Sequence, residues 1–491
     1  MTTADIWIAL AVYGAAGLAV AFWARRQLAG GADDFYLGGR RINGLVSAAS
    51  YAATTYSAFM MLGLAGLTYR GGVGALGFEL VYFAGLGLVL VFGPRFWLVG
   101  RRFGFVTPSE MLGARYGSRL LAGLVAVLSC VFLVPYSAVQ LMGIGLLLSG
   151  VTGGAIPVGV GILVGAALAA AWTLLAGLRS VAWTDAAQSV LILGSALLAL
   201  WFVVDAIGGV PVFLSRVEAE YGAWLHQPGP GLFSLPTFIG LTLPWLFFSI
   251  SNPQVSQRLF TTRDLGAMRT MILGFLGFGL VFTLIAILWG YAALLLVPDL
   301  ANADLATPTL LATGVIPPWL AIPLLLGIVA AAITTIDSIA LTLASMVGRD
   351  VYRASLKSVG DAAELAVGKV VIVVLIAAAA LFASLQLNLI SLLSVASSTG
   401  LLVTVPAIIG AFFWRRGTAA GALWSVTGGA VAVVGLGAGG INPLGVPYAV
   451  VAFALAIALF VGISLVTTPP ADRGKAFIDD VKPQLDRLRA S

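Results

Sequence analysis

"SAASYAATTYSAFMMLGLAG" (Ser47–Gly66) and "PWLFFSISNPQVSQRLF" (Pro244–Phe260) are the two stretches whose reading decides the fold. Both lie inside runs apolar enough for hydrocarbon, yet neither suits a simple lipid-facing helix. The first is dense in Ser, Thr, Ala and Gly. In the second, Pro253 has no N–H and leaves an acceptor near Ser249 unpaired. Backbone that leaves the helical ladder at membrane depth is tolerated only where protein or a water-filled cavity satisfies it. Small residues that let helices pack closely, together with a plain proline kink, would account for the same letters.

The membrane itself follows from composition. Of 491 residues, 60% are hydrophobic and 9% are charged, and mean hydropathy is +1.05. A soluble domain carries roughly 25% charged residues. Apolar runs of about 20 residues recur, each long enough to cross the hydrocarbon as a helix. The roughly 10-residue alternation of a β-barrel strand is missing. We read an all-α polytopic chain with about thirteen spans. They begin near Ile6, Gly44, Val73, Leu120, Ile156, Val181, Leu235, Thr270, Trp319, Val367, Leu389, Ala419 and Tyr448.

With the N-terminus outside, the loops alternate in basic content. Arg25/Arg26/Arg40/Arg41, Arg95/Arg101/Arg102/Arg115/Arg119, Arg258/Arg263/Arg269, Arg349/Arg353/Lys357, Arg415/Arg416 and the basic tail gather on one side; Arg70 and Arg216 fall on the other. The positive-inside rule therefore orients the chain N-out and C-in. The net charge of +6 is an orientation signal and points away from a nucleic-acid partner. The lone cysteine, Cys130, excludes a disulfide framework, and the lone histidine, His226, reads as a solvated loop residue. The arginines of the first span follow its apolar run, so we read it as retained and not as a signal peptide. No soluble domain is expected. "VTPSEMLGARYGSR" reads as a short helix capped by Thr107 with Pro108 at its first position. The tail "ADRGKAFIDDVKPQLDRLRAS" reads either as a surface amphipathic helix or as a solvated tail.

The two unusual spans are the second and the seventh, five apart. Broken helices at corresponding positions point to an inverted-repeat transporter with its site near the bilayer midplane. Span nine supplies the third element, "AAAITTIDSIALTLAS" (Ala330–Ser345). At 100° per residue Thr334, Asp337 and Ser338 share one face, with Thr335 at its edge and Ala331, Thr342 and Ser345 along the same stripe. An aspartate at a helix centre costs about 2.5–3.5 kcal/mol on insertion scales. Hydroxyls and freed carbonyls on such a ridge suit a hard cation. The bland reading returns each hydroxyl to the carbonyl one turn earlier. Asp185, near the start of span six, reads as a dipole-favoured helix-start carboxylate or as a waypoint for a cation. Glu79, near the outer end of span three, reads as structural or interfacial.

Three segments in order resemble the sodium:solute symporter family: "FYLGGRRINGL", "GLRSVAWTDAAQ" and "AAAITTIDSIALTLASMVGRDVYR". The resemblance covers essentially the whole chain. It implies a single transmembrane domain with a LeuT-like core of inverted five-helix repeats, at about residues 43–206 and 233–414. Outer helices are expected at about 6–24, 419–437 and 447–467, and a cytoplasmic tail at about 470–491. It implies Na⁺ as coupling ion, no organic cofactor, a small-molecule substrate, a multi-pass location in the cell membrane and no obligatory protein partner. By position, the principal sodium site falls on the carbonyls of Ala53, Tyr56 and Ala331 and the hydroxyls of Thr334 and Thr335, with Thr334 replacing the family's serine. A possible second cation site falls on Thr334, Asp337, Ser338 and Asp185, to be filled by Na⁺, by H⁺ or by neither. Candidate substrate residues are Thr54, Thr55, Ser57 and Phe59 on span two, Tyr136 and Gln140 on span four, and Trp245, Phe248 and Ser249 on span seven.

Sugar carriers of the family have an acidic and amide pair where Phe59 and Met60 stand, which argues against a polyol. The proline carrier has aspartate and tryptophan where Thr55 and Phe59 stand. Threonine hydroxyls beside positive half-helix ends suit a carboxylate, so a monocarboxylate or pantothenate-like solute is expected. The alternatives are an amino acid such as proline, or proton-coupled uptake through Asp337. An intramembrane aspartyl protease would need Asp185 and Asp337 to converge in a catalytic motif, and neither stands in one. A channel is the remaining rival, and counterflow separates it from a carrier.

Overall fold

A computed structural model describes residues 1–26, 31–355, 360–387 and 390–490. Lys357, counted above with the basic loops, and Leu389, the expected start of span eleven, lie outside the described residues. Among the described residues there is no strand, only one isolated bridge between Ile42 and Thr262. Eleven helices among the described residues are long and apolar enough to span a bilayer, or up to twelve with the bent pair Ile390–Leu402 and Val405–Phe413 counted as one span. Span two is an additional case, because its helical pieces Gly44–Thr55 and Ala65–Gly71 are each too short to count alone.

The peripheral spans turn large apolar side chains outward. Leu163, Val190, Trp201, Val370 and Leu381 are exposed, as expected where the solvent is hydrocarbon. Span nine is the centre of the bundle: 78% of its apolar window lies inside the protein, against 22% for spans one and ten. Its polar stripe therefore meets protein, which removes the cost of showing hydroxyls and a carboxylate to lipid. Span nine packs against spans four, five and six and against the first half of span two.

Spans five and six are helical on both sides of Gly177, whose φ of 59° and ψ of −170° break the ladder. A Cβ there would sit 2.7 Å from the Phe35 carbonyl oxygen, so both the dihedral and the close approach call for glycine. The short helix Pro108–Tyr116 is capped by Thr107, whose hydroxyl accepts the Glu110 N–H at 2.9 Å. The tail forms the helices Ala471–Ile478 and Val481–Ala490. Phe477 is buried against Phe103, Phe105 and Phe412, so the first of these helices docks on the bundle.

Candidate functional site

The site is built where spans two and seven lose their helical ladders. Asn43 caps the first half of span two by accepting the Val46 N–H at 2.9 Å. The helix ends when Tyr56 adopts φ −86° and ψ 87°, and it restarts with the Ser57 hydroxyl accepting the Phe59 N–H at 3.1 Å. In span seven the break is a single extended residue, Asn252 (φ −85°, ψ 113°), directly before Pro253.

In an unbroken helix the Ala53 carbonyl would accept from the N–H four residues on. Here it accepts from Thr334 at 3.1 Å and Thr335 at 3.2 Å. The same hydroxyls lie 3.0 and 3.1 Å from the Ala331 carbonyl. Both readings of the hydroxyls are therefore present at once: they bond back along span nine and they reach across to span two. Four buried oxygens converge with only two hydroxyl protons among them, a set rich in lone pairs and suited to a hard cation. A small cavity beside them is lined by Ala53, Tyr56, Ala331 and Thr334, together with Gln188, Ser189, Ile192 and Phe278. Its polar wall continues in Gln188, which donates to the Tyr13 hydroxyl at 2.8 Å.

One turn along span nine, Ser338 and its neighbours hold a guanidinium. Arg258 Nη2 donates to Ser338 Oγ at 2.6 Å and Thr54 Oγ1 at 3.0 Å, and lies 4.0 Å from Asp185 Oδ2. Asp185 in turn accepts from Ser50 at 2.7 Å. All of these groups are buried. Asp337 points elsewhere and accepts the Thr173 hydroxyl at 2.6 Å. The sequence reading placed Arg258 in a basic loop; the structure buries it in the core, because the break at Asn252 lets "SQRLF" continue span seven inward. A positive charge thus stands among the residues to which a second cation was assigned. Its sequence signal was an arginine only six residues past the break at Asn252.

The substrate candidates divide by position. Thr55, Phe59, Tyr136, Trp245 and Phe248 line a small cavity with Tyr56, Met60, Glu79 and Tyr82. Thr54 belongs to the Arg258 cluster, and Ser57 caps the restarted helix. Gln140 turns back to the Tyr136 carbonyl at 3.5 Å, and Ser249 donates to the Gly85 carbonyl at 3.3 Å. Glu79, read from sequence as structural or interfacial, is a wall of this cavity. Its place near one end of span three concealed this, because the irregular segment of span two brings Thr55, Tyr56, Phe59 and Met60 to the same cavity.

The sodium:solute symporter family model matches residues 35–429. The chain belongs to that family. Similar curated proteins include the sodium/pantothenate symporter of Escherichia coli (strain K12), 27% identical over 71% of this chain and 72% of that one. The sodium/proline symporter of Haemophilus influenzae is 27% identical over 82% of each chain. Among solved structures, a Na⁺-coupled sialic acid symporter in a substrate-bound outward-open state matches with a TM-score of 0.79 at 20% identity. That match covers 94% of this chain and 98% of the other. Mhp1, a nucleobase-cation-symport-1 family transporter in a closed conformation with bromovinylhydantoin bound, gives 0.57 at 15% identity over 90% and 98%. The fold is LeuT-like. The protein is a multi-pass, sodium-coupled solute symporter of the cell membrane, a transporter and not an enzyme.

Proposed function

We propose that this symporter imports a small carboxylate-bearing metabolite, monocarboxylate- or pantothenate-like, together with Na⁺ by alternating access. The observation that carries the reading is the oxygen cluster of Ala53, Ala331, Thr334 and Thr335 at the break in span two. Sodium held there ties span two to span nine. Tyr56 lines both the sodium-side cavity and the one bordered by Glu79, so ordering it at one site shapes the other. Linkage then requires each ligand to raise the other's affinity by the same factor. The positive helix ends at the two breaks favour a substrate carboxylate. The cavity walled by Thr55, Phe59, Tyr136, Trp245 and Phe248 holds little free space, which favours a compact solute. Glu79 in the wall of that cavity supports a second reading, an amino-acid substrate with an ammonium group.

The test is solute uptake by the purified full chain in proteoliposomes under an inward sodium gradient. We expect sodium-driven accumulation in wild type and weakened sodium dependence in Thr335→Ala. Uptake that runs equally well with potassium alone would remove the symport assignment for this solute. Unchanged sodium dependence in Thr335→Ala would remove the site assignment. Uptake driven by a proton gradient and abolished by Asp337→Asn would favour proton coupling.

A further inference from the structure

Glu79 is 3% exposed, and its Oε2 atom has no hydrogen-bond partner. It borders the small cavity described above, whose other walls are mostly aromatic. Trp245 and Phe248 meet edge-on at 4.6 Å and 89°, Phe59 and Trp245 at 5.8 Å and 87°, and Tyr82 and Phe248 at 5.7 Å and 90°. Rings set at right angles to one another form the corners of a box, and Tyr56 and Tyr136 extend it.

A buried carboxylate without a partner is strongly disfavoured unless a proton or a cation compensates it. Ring faces carry the negative end of the aromatic quadrupole and attract cations, and aromatic cages are a recurrent means of holding alkylated ammonium groups. A carboxylate and several π faces around one small cavity therefore select for positive charge and against a bare anion. We infer that the solute carries a cationic nitrogen that sits in this aromatic box with Glu79 as its counter-ion. This rests on the second substrate reading above, the one with an ammonium group, and sets aside the purely anionic solutes: the carboxylate-bearing solute is a compact zwitterion with its ammonium end in the box. Pairing with the ligand supplies the counter-charge that Glu79 lacks within the protein. A solute with the same shape but a carbon in place of the nitrogen keeps the apolar contact and loses this term.

The experiment compares shape-matched pairs by thermal shift of the full chain, in sodium and in potassium. Glycine betaine is set against tert-butylacetate, and proline against cyclopentanecarboxylate. Choline serves as a cation without a carboxylate. We expect an ammonium member to stabilise wild type in sodium, with its carbon counterpart weaker by roughly 30-fold or more, the scale for losing one partner of a buried charge pair. Glu79→Gln should keep the shift caused by sodium alone and lose the preference for the ammonium compound. A response to choline that depends on Glu79 would support the cationic box and strike the carboxylate from the substrate reading. Equal or better stabilisation by the carbon counterparts overturns the inference and leaves sodium symport intact, as does a panel in which no ammonium compound stabilises. A zwitterion response indifferent to sodium would keep the box and count against coupling through the oxygen cluster. The comparison within wild type needs no variant, so it remains decisive if Glu79→Gln does not fold.

Discussion

Replacing Arg258 with methionine removes a guanidinium nitrogen that lies 4.0 Å from Asp185 Oδ2 and bonds Ser338 and Thr54 at 2.6 and 3.0 Å. At an effective dielectric constant of about 20, two unit charges at that separation interact by about 4 kcal/mol. Breaking a buried pair by deleting one partner costs about 3–5 kcal/mol, because the remaining charge stays buried without compensation. The apparent melting temperature of Arg258→Met should therefore fall by several degrees. Asp185→Asn combined with Arg258→Met should recover most of the loss, since the double variant leaves no unpaired charge. The single variant carries a second signature. Without the guanidinium, Asp185 and the hydroxyls of Thr54 and Ser338 form an anionic pocket, so sodium should stabilise Arg258→Met more than wild type. The assay is a thermal-shift series for wild type, both single variants and the double variant across a sodium titration at constant ionic strength. If Arg258→Met melts with wild type, or if adding Asp185→Asn deepens the loss, Arg258 and Asp185 are not a stabilising buried pair.

Two further expectations concern the ends of the bundle. Asp304, in the loop between spans eight and nine, is buried, which pushes its carboxyl up to about 7, only partly offset by the Ile390 N–H and by Arg70. A folded value above the ordinary 3.8 means that the folded state holds the proton more tightly, so stability is highest below about pH 4 and is lost as pH rises to about 7. The displacement is worth at most roughly 4 kcal/mol. Asp304→Asn should flatten that part of a pH–melting profile, and an unchanged slope would reject this account of Asp304. At the opposite end, Phe477 lies between Phe103 at 5.6 Å, Phe105 at 6.0 Å and Phe412 at 6.0 Å. Phe477→Ala should cost about 3–5 kcal/mol of docking and speed tryptic release of the tail. A cleavage rate equal to wild type would mean that the tail is held by other contacts, such as the Arg102–Asp480 pair at 3.0 Å.

What the letters disclosed and what they concealed follows from the range of the forces involved. The breaks in spans two and seven were legible because they need local composition: small hydroxylated residues around Tyr56, and Pro253 after Asn252. The ridge of Thr334, Thr335 and Ser338 was legible because helical periodicity places neighbours on one face. Thr107 was legible as a cap because capping spans three residues. Apart from the pairing of Ala53 with Thr334 and Thr335, which the family resemblance implied, the partners across the bundle were not. Arg258 follows a break, and counting charges along the chain assigns it to a loop, whereas its surroundings are set by residues Thr54, Asp185 and Ser338 on three other spans. Glu79 was judged by its distance from a loop, yet what matters is the aromatic residues that spans two, four and seven bring to it. Thr173 was passed over because a threonine bonding back to the Ala169 carbonyl at 2.7 Å is ordinary in a helix; its second contact, to Asp337, exists only in the packed bundle.

The central claim is that hydroxyls of span nine and the carbonyl freed at the break in span two hold the coupling sodium. Equilibrium binding of radioactive Na⁺ to purified wild type and Thr335→Ala tests it without knowledge of the solute. Wild type should bind saturably, with unlabelled Na⁺ displacing the label and K⁺ not, and Thr335→Ala should bind roughly tenfold or more weakly, since losing one oxygen ligand to a charged group costs about 1.5–3 kcal/mol. Binding of equal affinity and stoichiometry in the two proteins would contradict it.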